Sequence, residues 1–263
     1  MASGTIIEAT GLTRAFGGLV AIDGYGLRLA AGDLVGLIGP NGAGKTTAFN
    51  LLTGVLKPSA GRVAVEGVDL TGARPHLLAR AGVVRTFQNI RLFDDLSVLE
   101  NVMCGGHMRQ GAGVVATALR LPSFRRAEAG LAALARGIVE RLGLGPLASR
   151  RAGDLSYGDQ RRVEIARALA GAPKALLLDE PAAGLNPTET EALAAAIRRI
   201  NRDLGVAVLV VEHDMGLVMR LCRRVQVLNR GRLVAEGTPA EVQSDPDVIE
   251  AYLGTRRRHA EPA

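Results

Sequence analysis

The sequence predicts an α/β fold in which a parallel sheet carries a phosphate-binding loop. The glycine-rich segment Gly39–Thr46 follows an apolar run, Leu34–Ile38, and precedes a segment with helical character, Thr47–Val55. Two further apolar runs, Ala175–Leu178 and Val206–Val211, have the length of central strands buried on both faces. The residues between these runs have helical periodicity, so strand, helix and strand alternate as they do in parallel sheets.

The segment Gly39–Thr46 matches the spacing G-x-x-x-x-G-K-[ST] at every fixed position. Glycines let the backbone wrap an anion at positive φ, and successive N–H groups at a helix N-terminus then face the phosphates. Lys45 is expected to reach the β- and γ-phosphates, and the Thr46 hydroxyl to bind Mg²⁺. An ordinary glycine-rich turn is the alternative, which the flanking strand and helix disfavour. The predicted nucleoside triphosphate site comprises Gly39, Pro40, Asn41, Gly42, Ala43, Gly44, Lys45, Thr46 and Thr47.

Size and composition exclude several classes of protein. A chain of 263 residues suits one large domain, or a domain with an appendage. No stretch approaches the roughly 18 to 20 apolar residues that cross a bilayer, and the N-terminus lacks the pattern of a signal peptide, so we expect a cytosolic protein. Cys104 and Cys222 fit neither a metal-ligand spacing nor a disulfide framework, and are expected to be small apolar side chains.

The net charge of +6 comes mainly from arginine and invites a nucleic-acid interpretation. The arginines are scattered apart from Arg256–Arg258, and only 3% of residues are aromatic, so stacking platforms for single strands are hard to assemble. A solvated basic surface, or one facing an anionic membrane leaflet, is the simpler explanation. We therefore expect no nucleic-acid partner.

The chain before the second apolar run predicts mainly strands and turns. Thr5–Leu29 is expected to form strands and hairpins, Gly61–Gly67 a short strand, and Thr86–Asn89 the end of another strand. Ser97 with Glu100 three positions later has the pattern of a capping box that opens a helix.

Residues 105–124 have the weakest pattern, and Arg125–Leu142 follows as an amphipathic helical insertion. Its expected role is packing, with a partner surface as the alternative. The predicted apolar stripe comprises Leu131, Leu134, Ile138 and Leu142.

Toward the C-terminus the sequence predicts a second amphipathic helix, two strands and closing helices. Thr188 with Glu191 is read as a second capping box. Val225–Leu228 and Leu233–Glu236 are expected to be strands, and Pro239–Leu253 the closing helices. The buried face of the amphipathic helix is expected to comprise Leu193, Ile197, Ile200 and Leu204.

Charged residues end two of the predicted central strands. Asp179 and Glu180 follow Ala175–Leu178, at the edge of an open α/β sheet where ligands bind. Asp179 can hold Mg²⁺ through water, and Glu180 can orient an attacking water or accept its proton. A surface turn is the alternative, which the repulsion between two adjacent carboxylates disfavours. His213 follows the next strand, and although a lone histidine is more often structural, this position favours contact with the γ-phosphate.

The segment Asp154–Arg162 reads as a helix N-terminus that offers a hydroxyl, a glycine and free backbone donors, before a helix at Arg162–Gly171. Such a terminus is a second anion site without a phosphate loop of its own. The arrangement makes sense if two copies meet head to tail.

The order of these motifs resembles the ATP-binding subunits of ABC transporters over nearly the whole chain. It runs from the phosphate loop through Gln88, Leu155–Gly158, Leu178–Pro181, Gly184–Asn186 and His213. Within that family the chain most resembles the branched-chain amino acid importer ATPases. The segments that carry this second resemblance are Tyr157–Gln160, Ala182–Pro187, Glu212–Met215, Ala251–Gly254 and the helical insertion after Gln88.

The resemblance implies ATP and Mg²⁺ as cofactors and assigns further residues. Phe16 would stack on adenine, with core or turn packing as the alternative. Ser156 and Gly158 would bind the γ-phosphate held by the opposite protomer, and Asn186 stands in the loop that crosses the dimer interface, where the family more often has aspartate. Gln88 would sense metal and nucleotide beside the membrane subunit. The implied metal site is Thr46, Gln88 and Asp179, and the implied catalytic set is Lys45, Glu180 and His213.

Two residues depart from the commoner form of the signature, in which glycine and glutamine stand at the positions of Tyr157 and Asp159. Tyr157 excludes a backbone conformation open only to glycine. Asp159 adds negative charge near a phosphate, which its place in the first helical turn offsets by some tenths of a kcal/mol to about 1 kcal/mol.

The resemblance also implies an architecture and an assembly. Residues 1–253 would form a single ABC ATP-binding domain of P-loop NTPase type, with an N-terminal antiparallel β subdomain and a helical subdomain at about 89–170 that carries the signature. Residues 254–263 would be a disordered basic tail. The partners would be transmembrane permease subunits, a paralogous ATPase subunit or a second copy as dimer, and indirectly an extracytoplasmic solute-binding protein.

The expected location is peripheral, at the cytoplasmic face of the inner membrane. The alternatives are a soluble ABC ATPase that acts on DNA or ribosomes, and the ATPase of an exporter. The absence of a second cassette, a cysteine cluster and sustained heptads disfavours the former.

Overall fold

The computed structural model describes residues 4–110 and 122–253. The predicted disordered tail at 254–263 lies outside the described residues, as does most of the weakly patterned stretch at 105–124. The first six residues of that stretch, 105–110, belong to a helix.

The N-terminal part forms a four-stranded antiparallel sheet, as predicted for this region. Its strands are β1 (Thr5–Phe16), β2 (Leu19–Ala30), β4 (Ala60–Val65) and β5 (Val68–Asp69), in the order β2-β1-β4-β5. Hairpin pairing of β1 with β2 places Phe16 opposite Leu19 at the turn. The inner face of this sheet packs on the helix that follows the phosphate loop.

A six-stranded sheet forms the centre of the molecule, in the order β10-β9-β3-β8-β7-β6. All neighbouring pairs are parallel except β9 with β10. Every residue of β3, β7 and β8 is buried, as their continuous apolar composition predicts. The strands are β3 (Leu34–Ile38), β6 (Val83–Arg85), β7 (Ala175–Asp179), β8 (Ala207–Val211), β9 (Arg224–Asn229) and β10 (Arg232–Gly237).

Helices cover both faces of the central sheet, and three of them form a separate helical layer. That layer consists of α3 (Val98–Gln110), α4 (Pro122–Arg141) and α5 (Tyr157–Ala170), with short 3₁₀ turns at Gly145–Leu147 and Ala152–Asp154. No helix within the described ranges is both long and apolar enough to span a bilayer. The other helices are α1 (Lys45–Leu52), α2 (Pro75–Arg80), α6 (Pro187–Leu204), α7 (Met215–Leu221), α8 (Pro239–Ser244) and α9 (Pro246–Leu253).

The apolar stripe predicted for α4 is wrong at one position. Leu131, Ile138 and Leu142 are buried, but Leu134 is 37% exposed and Ala135 is fully buried in its place. At 3.6 residues per turn the three buried residues lie within about 20° of one direction, while Leu134 points about 60° away. Leu204, predicted to be buried, is likewise 42% exposed, at the last position of α6.

Three predicted helix starts also need correction. The capping box of α6 is formed by Asn186 and Glu189, not by Thr188 and Glu191, because proline at the next position favours the first helical turn and makes Asn186 the N-cap. Helix α5 begins at Tyr157 rather than Arg162, since the Ser156 hydroxyl accepts from Asp159 N–H. Helix α1 begins at Lys45, inside the phosphate loop itself, and ends at Leu52. The predicted box of Ser97 and Glu100 is present.

Candidate functional site

The phosphate loop is held in one conformation by its glycines. Gly39, Gly42 and Gly44 all have positive φ, at 153°, 78° and 103°. A Cβ at Gly39 would collide with the Leu228 carbonyl oxygen, and one at Gly44 would crowd the carbonyl oxygen of Ala21. The backbone conformation therefore disfavours side chains at all three glycines, and close approach of neighbouring backbone also excludes them at Gly39 and Gly44.

Lys45 is the first residue of α1 and points its ammonium back over the loop. The Nζ atom donates to the carbonyl oxygens of Gly39 at 2.7 Å and Pro40 at 3.2 Å. Burial lowers the pKa of Lys45, and the nearby Glu180 carboxylate acts in the opposite direction. A partly desolvated cation beside the first turn of a helix is a strong anion site, so these residues fit the phosphates of a nucleotide.

Three of the predicted site residues meet at the carboxyl edge of the sheet. The Gln88 side-chain nitrogen donates to Glu180 Oε2 at 3.1 Å, and His213 Nδ1 lies 3.9 Å from the same oxygen. Glu180 has a positive φ of 45°, a conformation uncommon for a residue with a side chain. Such outliers concentrate at functional sites, and here the turn directs the carboxylate toward the two neighbouring loops.

Asp179, the last residue of β7, is buried, and its carboxylate lies 3.7 Å from the Arg85 guanidinium. Burial raises the pKa of Asp179, while Arg85 opposes the shift. Sequence reasoning missed Arg85, which also donates to Asn50 Oδ1 on α1 at 2.9 Å and to Thr53 Oγ1, directly after α1, at 3.0 Å. Arg85 thus joins the helix after the phosphate loop to the strand that leads into Gln88.

Glu212 connects the loop of His213 with the segment that follows Glu180. Its side chain is almost fully buried, and its carboxylate accepts from Ala182 N–H at 2.8 Å and from His213 N–H at 3.3 Å. Burial raises the pKa of Glu212, and the two backbone donors partly offset that shift. The motif Glu212–Met215 entered the sequence analysis only as a family resemblance, so this bridging role is new.

Ser156 and Gly158 lie at the start of α5, where the Ser156 hydroxyl caps the helix and Gly158 lies against the Glu189 side chain of α6. A Cβ at Gly158 would press against the Glu189 side chain, and one at Gly184 would lie 3.4 Å from the Tyr157 ring. The signature segment therefore packs on the loop of Asn186 within the same chain. Asp159 forms an ion pair with Arg162, which neutralises the added negative charge.

A fully buried arginine, Arg161, links the signature helix to the segment of Gln88. It donates to the carbonyl oxygens of Phe87 at 2.9 Å and Gln88 at 2.7 Å, and forms an ion pair with Glu164 at 2.7 Å. The sequence analysis did not identify it, because the two carbonyl groups that it binds are more than 70 positions away along the chain. Arg161 thereby joins the Gln88 backbone directly to α5.

Phe16, at the end of β1, is 44% exposed and is not part of the core. The Arg14 guanidinium lies over its ring at 4.8 Å from the centroid. One face of the ring is thus already covered by a cation. An exposed aromatic of this kind can stack on a nucleobase.

A groove of about 790 Å³ lies between the central sheet and the helical layer, beside the Gln88 segment. Phe87 and Phe93 contribute exposed aromatic surface, and Glu164 lies among several cations. Its lining includes Arg80, Arg85, Cys104, Arg167 and Lys174.

Together, the glycine loop, the sheet-edge carboxylates and a signature helix mounted on a separate helical layer define a P-loop nucleotide-hydrolysing protein. A family model described as "ABC transporter" matches residues 22–183, and one described as "Branched-chain amino acid ATP-binding cassette transporter" matches residues 232–257.

Similar proteins cover nearly the full length of the chain. The high-affinity branched-chain amino acid transport ATP-binding proteins BraF of Pseudomonas aeruginosa and LivG of Escherichia coli are each 46% identical over 249 residues, which is 95% of this chain and 98% of each relative. The crystal structure of an ABC-transporter cassette in its ADP conformation has a TM-score of 0.81 at 33% identity, covering 95% of this chain and 99% of that one. The chain belongs to the ATP-binding proteins of the ABC transporter family, ATPases coupled to transport.

Proposed function

We propose that this protein is the ATP-hydrolysing motor subunit of an ABC importer for branched-chain or related amino acids. The observation that carries the ATPase role is the convergence of Gln88 and His213 on one carboxylate oxygen of Glu180, at the same sheet edge as the Lys45 loop. The cargo class rests on the relatives' function, because no residue of a motor subunit needs to contact cargo.

The proposed roles of the site residues come from their motifs and the family resemblance, supported by the contacts described above. Gly39–Thr47 would cradle the phosphates of ATP through backbone N–H groups, and Lys45 would exchange its carbonyl partners for phosphate oxygens. Thr46, Gln88 and Asp179 would hold Mg²⁺, which when bound neutralises phosphate charge. Glu180 would orient the attacking water and accept its proton, and His213 would contact the γ-phosphate.

Ser156 and Gly158 would complete the site of a second ATPase subunit, either a copy of this chain or a paralogue. This role agrees with their position at a helix N-terminus, where the Ser156 hydroxyl accepts from Asp159 N–H. The ion pair of Asp159 with Arg162 neutralises the carboxylate charge that would otherwise repel a phosphate at this helix N-terminus. Closure on nucleotide shifts the equilibrium only through contacts made in the closed state, which these residues would supply.

The groove beside Gln88 is the proposed docking surface for a transmembrane permease subunit, at the cytoplasmic face of the inner membrane. Exposed Phe87 and Phe93 provide the apolar contact that interfaces favour, and Arg161 connects the groove floor to the signature helix. An extracytoplasmic solute-binding protein would act only indirectly, through the permease.

The test is co-purification from detergent-solubilised native membranes, comparing the wild-type chain with Phe93→Asp. Two multi-span permease subunits and a second, shorter ATPase are expected with the wild type and not with Phe93→Asp. Val68→Asp, at a 61% exposed position on the antiparallel sheet, is the matched control and should retain the partners. Recovery of ribosomes or nucleic acid without membrane proteins would contradict the transport role, and recovery of export components would contradict import.

A separate measurement tests the ATPase site. Lys45→Ala should abolish ATP binding while leaving the fold intact, because it removes the cation and spares the glycine loop. Wild-type affinity for ATP in that variant would contradict the assignment.

A further inference from the structure

Glu212 is a buried carboxylate for which the proposed hydrolysis mechanism has no role. Its side chain is only 1% exposed, and it stands between the end of β8 and His213. A buried carboxylate is costly unless it is hydrogen-bonded, and here each oxygen has a donor. Oε1 accepts from Ala182 N–H at 2.8 Å, and Oε2 accepts from His213 N–H at 3.3 Å. The two donors belong to different loops, so this one side chain holds both loops together.

The loop that contains Ala182 begins with the strained turn at Glu180. Glu180 has a positive φ of 45°, and such a conformation persists only when surrounding contacts hold it. Its own N–H donates to the Val211 carbonyl, at the end of β8, at 2.8 Å. That bond is between backbone groups and does not require a side chain. The second bond to this end of β8, from Ala182 N–H, depends entirely on the Glu212 carboxylate.

Glu212 also faces the imidazole ring of His213. The Nδ1 atom of that ring lies 4.0 Å from Glu212 Oε2 and 3.9 Å from Glu180 Oε2. Two carboxylate oxygens near one nitrogen favour the tautomer with the proton on that nitrogen, because its N–H then faces negative charge. Nε2, on the opposite edge of the ring, is the nitrogen left to contact a phosphate. The ring is 58% exposed, which leaves it little packing to fix its orientation.

We propose that Glu212 is a positioning residue for ATP hydrolysis, which holds the Glu180 turn and the Nδ1 edge of His213 in the arrangement that the chemical step needs. The inference rests on the proposed ATPase function. The hydrogen bonds of Glu212 reach the loops of Ala182 and His213. Its removal therefore slows the chemical step more than it weakens nucleotide binding.

The test compares the full wild-type chain with Glu212→Gln, which keeps the shape of the side chain but can accept only one of the two hydrogen bonds. The matched control is Asn201→Ala. Asn201 is also buried, and its amide joins two loops at the opposite, amino end of β8. It does so by donating to the carbonyl oxygens of Gly32 and Val206, each at 3.0 Å.

ATP hydrolysis, and binding of ADP with Mg²⁺, are measured well below the Tm of each variant. Glu212→Gln should reduce kcat about tenfold and leave ADP affinity within about twofold of the wild type. Asn201→Ala should lower the Tm but keep kcat within about twofold, because the bonds that it loses lie at the other end of the sheet. In a Glu180→Gln background, Glu212→Gln should cost less than about twofold more in kcat, because the carboxylate that it positions has been removed.

A wild-type kcat in Glu212→Gln would overturn the inference. So would an equal loss of kcat in Asn201→Ala, since general destabilisation would then explain both. A loss that multiplies with that of Glu180→Gln would show that Glu212 does not act through Glu180, and a tenfold loss of ADP affinity would place its effect on nucleotide binding. A wild-type chain that hydrolyses no ATP would contradict the proposed function itself. Normal wild-type hydrolysis with any of the other four results would contradict the inference alone.

Discussion

Gln88 and Glu180 are joined by a hydrogen bond of 3.1 Å, although 92 positions separate them in the chain. Gln88 follows the edge strand β6, and Glu180 directly follows the buried strand β7. The carbonyl of Gln88 is in turn held by buried Arg161 at 2.7 Å. One short path of polar contacts thus connects the proposed general base, the groove beside Gln88 and the signature helix.

Replacing Glu180 by glutamine should reduce the rate of ATP hydrolysis at least about 100-fold, the usual scale for loss of a general base. Glutamine retains the shape of the side chain and can keep the contact with Gln88, so nucleotide binding should survive and an ATP-bound dimer should accumulate. Phosphate release at saturating ATP and light scattering after size exclusion measure the two effects.

The matched control is Glu191→Gln, which changes an exposed carboxylate paired with Arg198 on α6. It should hydrolyse ATP normally. A wild-type rate for Glu180→Gln would show that another group activates the water.

Arg161→Met should lower the free energy of unfolding by about 3 kcal/mol, because it leaves the buried Glu164 carboxylate without its partner and two carbonyls without a donor. Adding Glu164→Leu should recover part of that loss. Urea unfolding of the two single variants and the double variant gives the coupling energy.

The control for this cycle is Arg198→Met, which breaks an exposed pair and should cost less than about 1 kcal/mol. Equal losses at Arg161 and Arg198 would contradict the structural role assigned to the buried pair.

The corrected capping box of α6 makes a paired prediction. Asn186→Ala should destabilise the protein by about 1 kcal/mol, because it leaves Glu189 N–H without its acceptor. Thr188→Ala, at an exposed position inside the first turn, should stay within about 0.5 kcal/mol of the wild type. Chemical denaturation measures the free energy of unfolding of both variants. A larger loss of stability in Thr188→Ala than in Asn186→Ala would favour the capping box predicted from sequence, Thr188 with Glu191.

Glu212 should make stability depend on pH. Its pKa is raised in the folded state by burial, so the folded chain binds more protons than the unfolded chain between the unfolded pKa, about 4.3, and the folded value. Stability from this group is therefore greatest below that window and falls as pH rises through it. The glutamine side chain of the Glu212→Gln variant cannot titrate. The free energy of unfolding of the variant minus that of the wild type should therefore increase as pH rises through the window. Urea unfolding at successive pH values measures the difference, and a constant difference would contradict the prediction.

Local pattern predicted most of the secondary structure. The continuous apolar runs of β3, β7 and β8 identified buried parallel strands, since few other environments accept such runs. The errors arose where neighbouring residues offered competing local signals. Thr188 with Glu191 matched a capping pattern, but Pro187 made Asn186 the cap, and Leu134 matched an apolar spacing while lying at the margin of the buried face.

Among the site residues, those with a motif were predictable and those acting through burial were not. Lys45, Asp179, Glu180 and His213 are marked by short-range context, a loop or a strand end. Arg161 was not, because an arginine on an amphipathic helix normally faces solvent, and only the packing of α5 against the Gln88 segment buries it.

The sequence by itself determined the class of fold, the phosphate loop and the order of the motifs, because each depends on neighbouring residues and on periodicities of two or 3.6. Tertiary structure alone decided which distant groups share a contact: Gln88 with Glu180, Glu212 with Ala182, Arg161 with the Phe87 carbonyl. It also left the Tyr252 hydroxyl buried without a hydrogen-bond partner among the described residues. Such contacts arise when elements that are remote in sequence pack together. Burial then strengthens each hydrogen bond and raises the cost of an unpaired polar group, and neither effect can be read from the adjacent residues in the sequence.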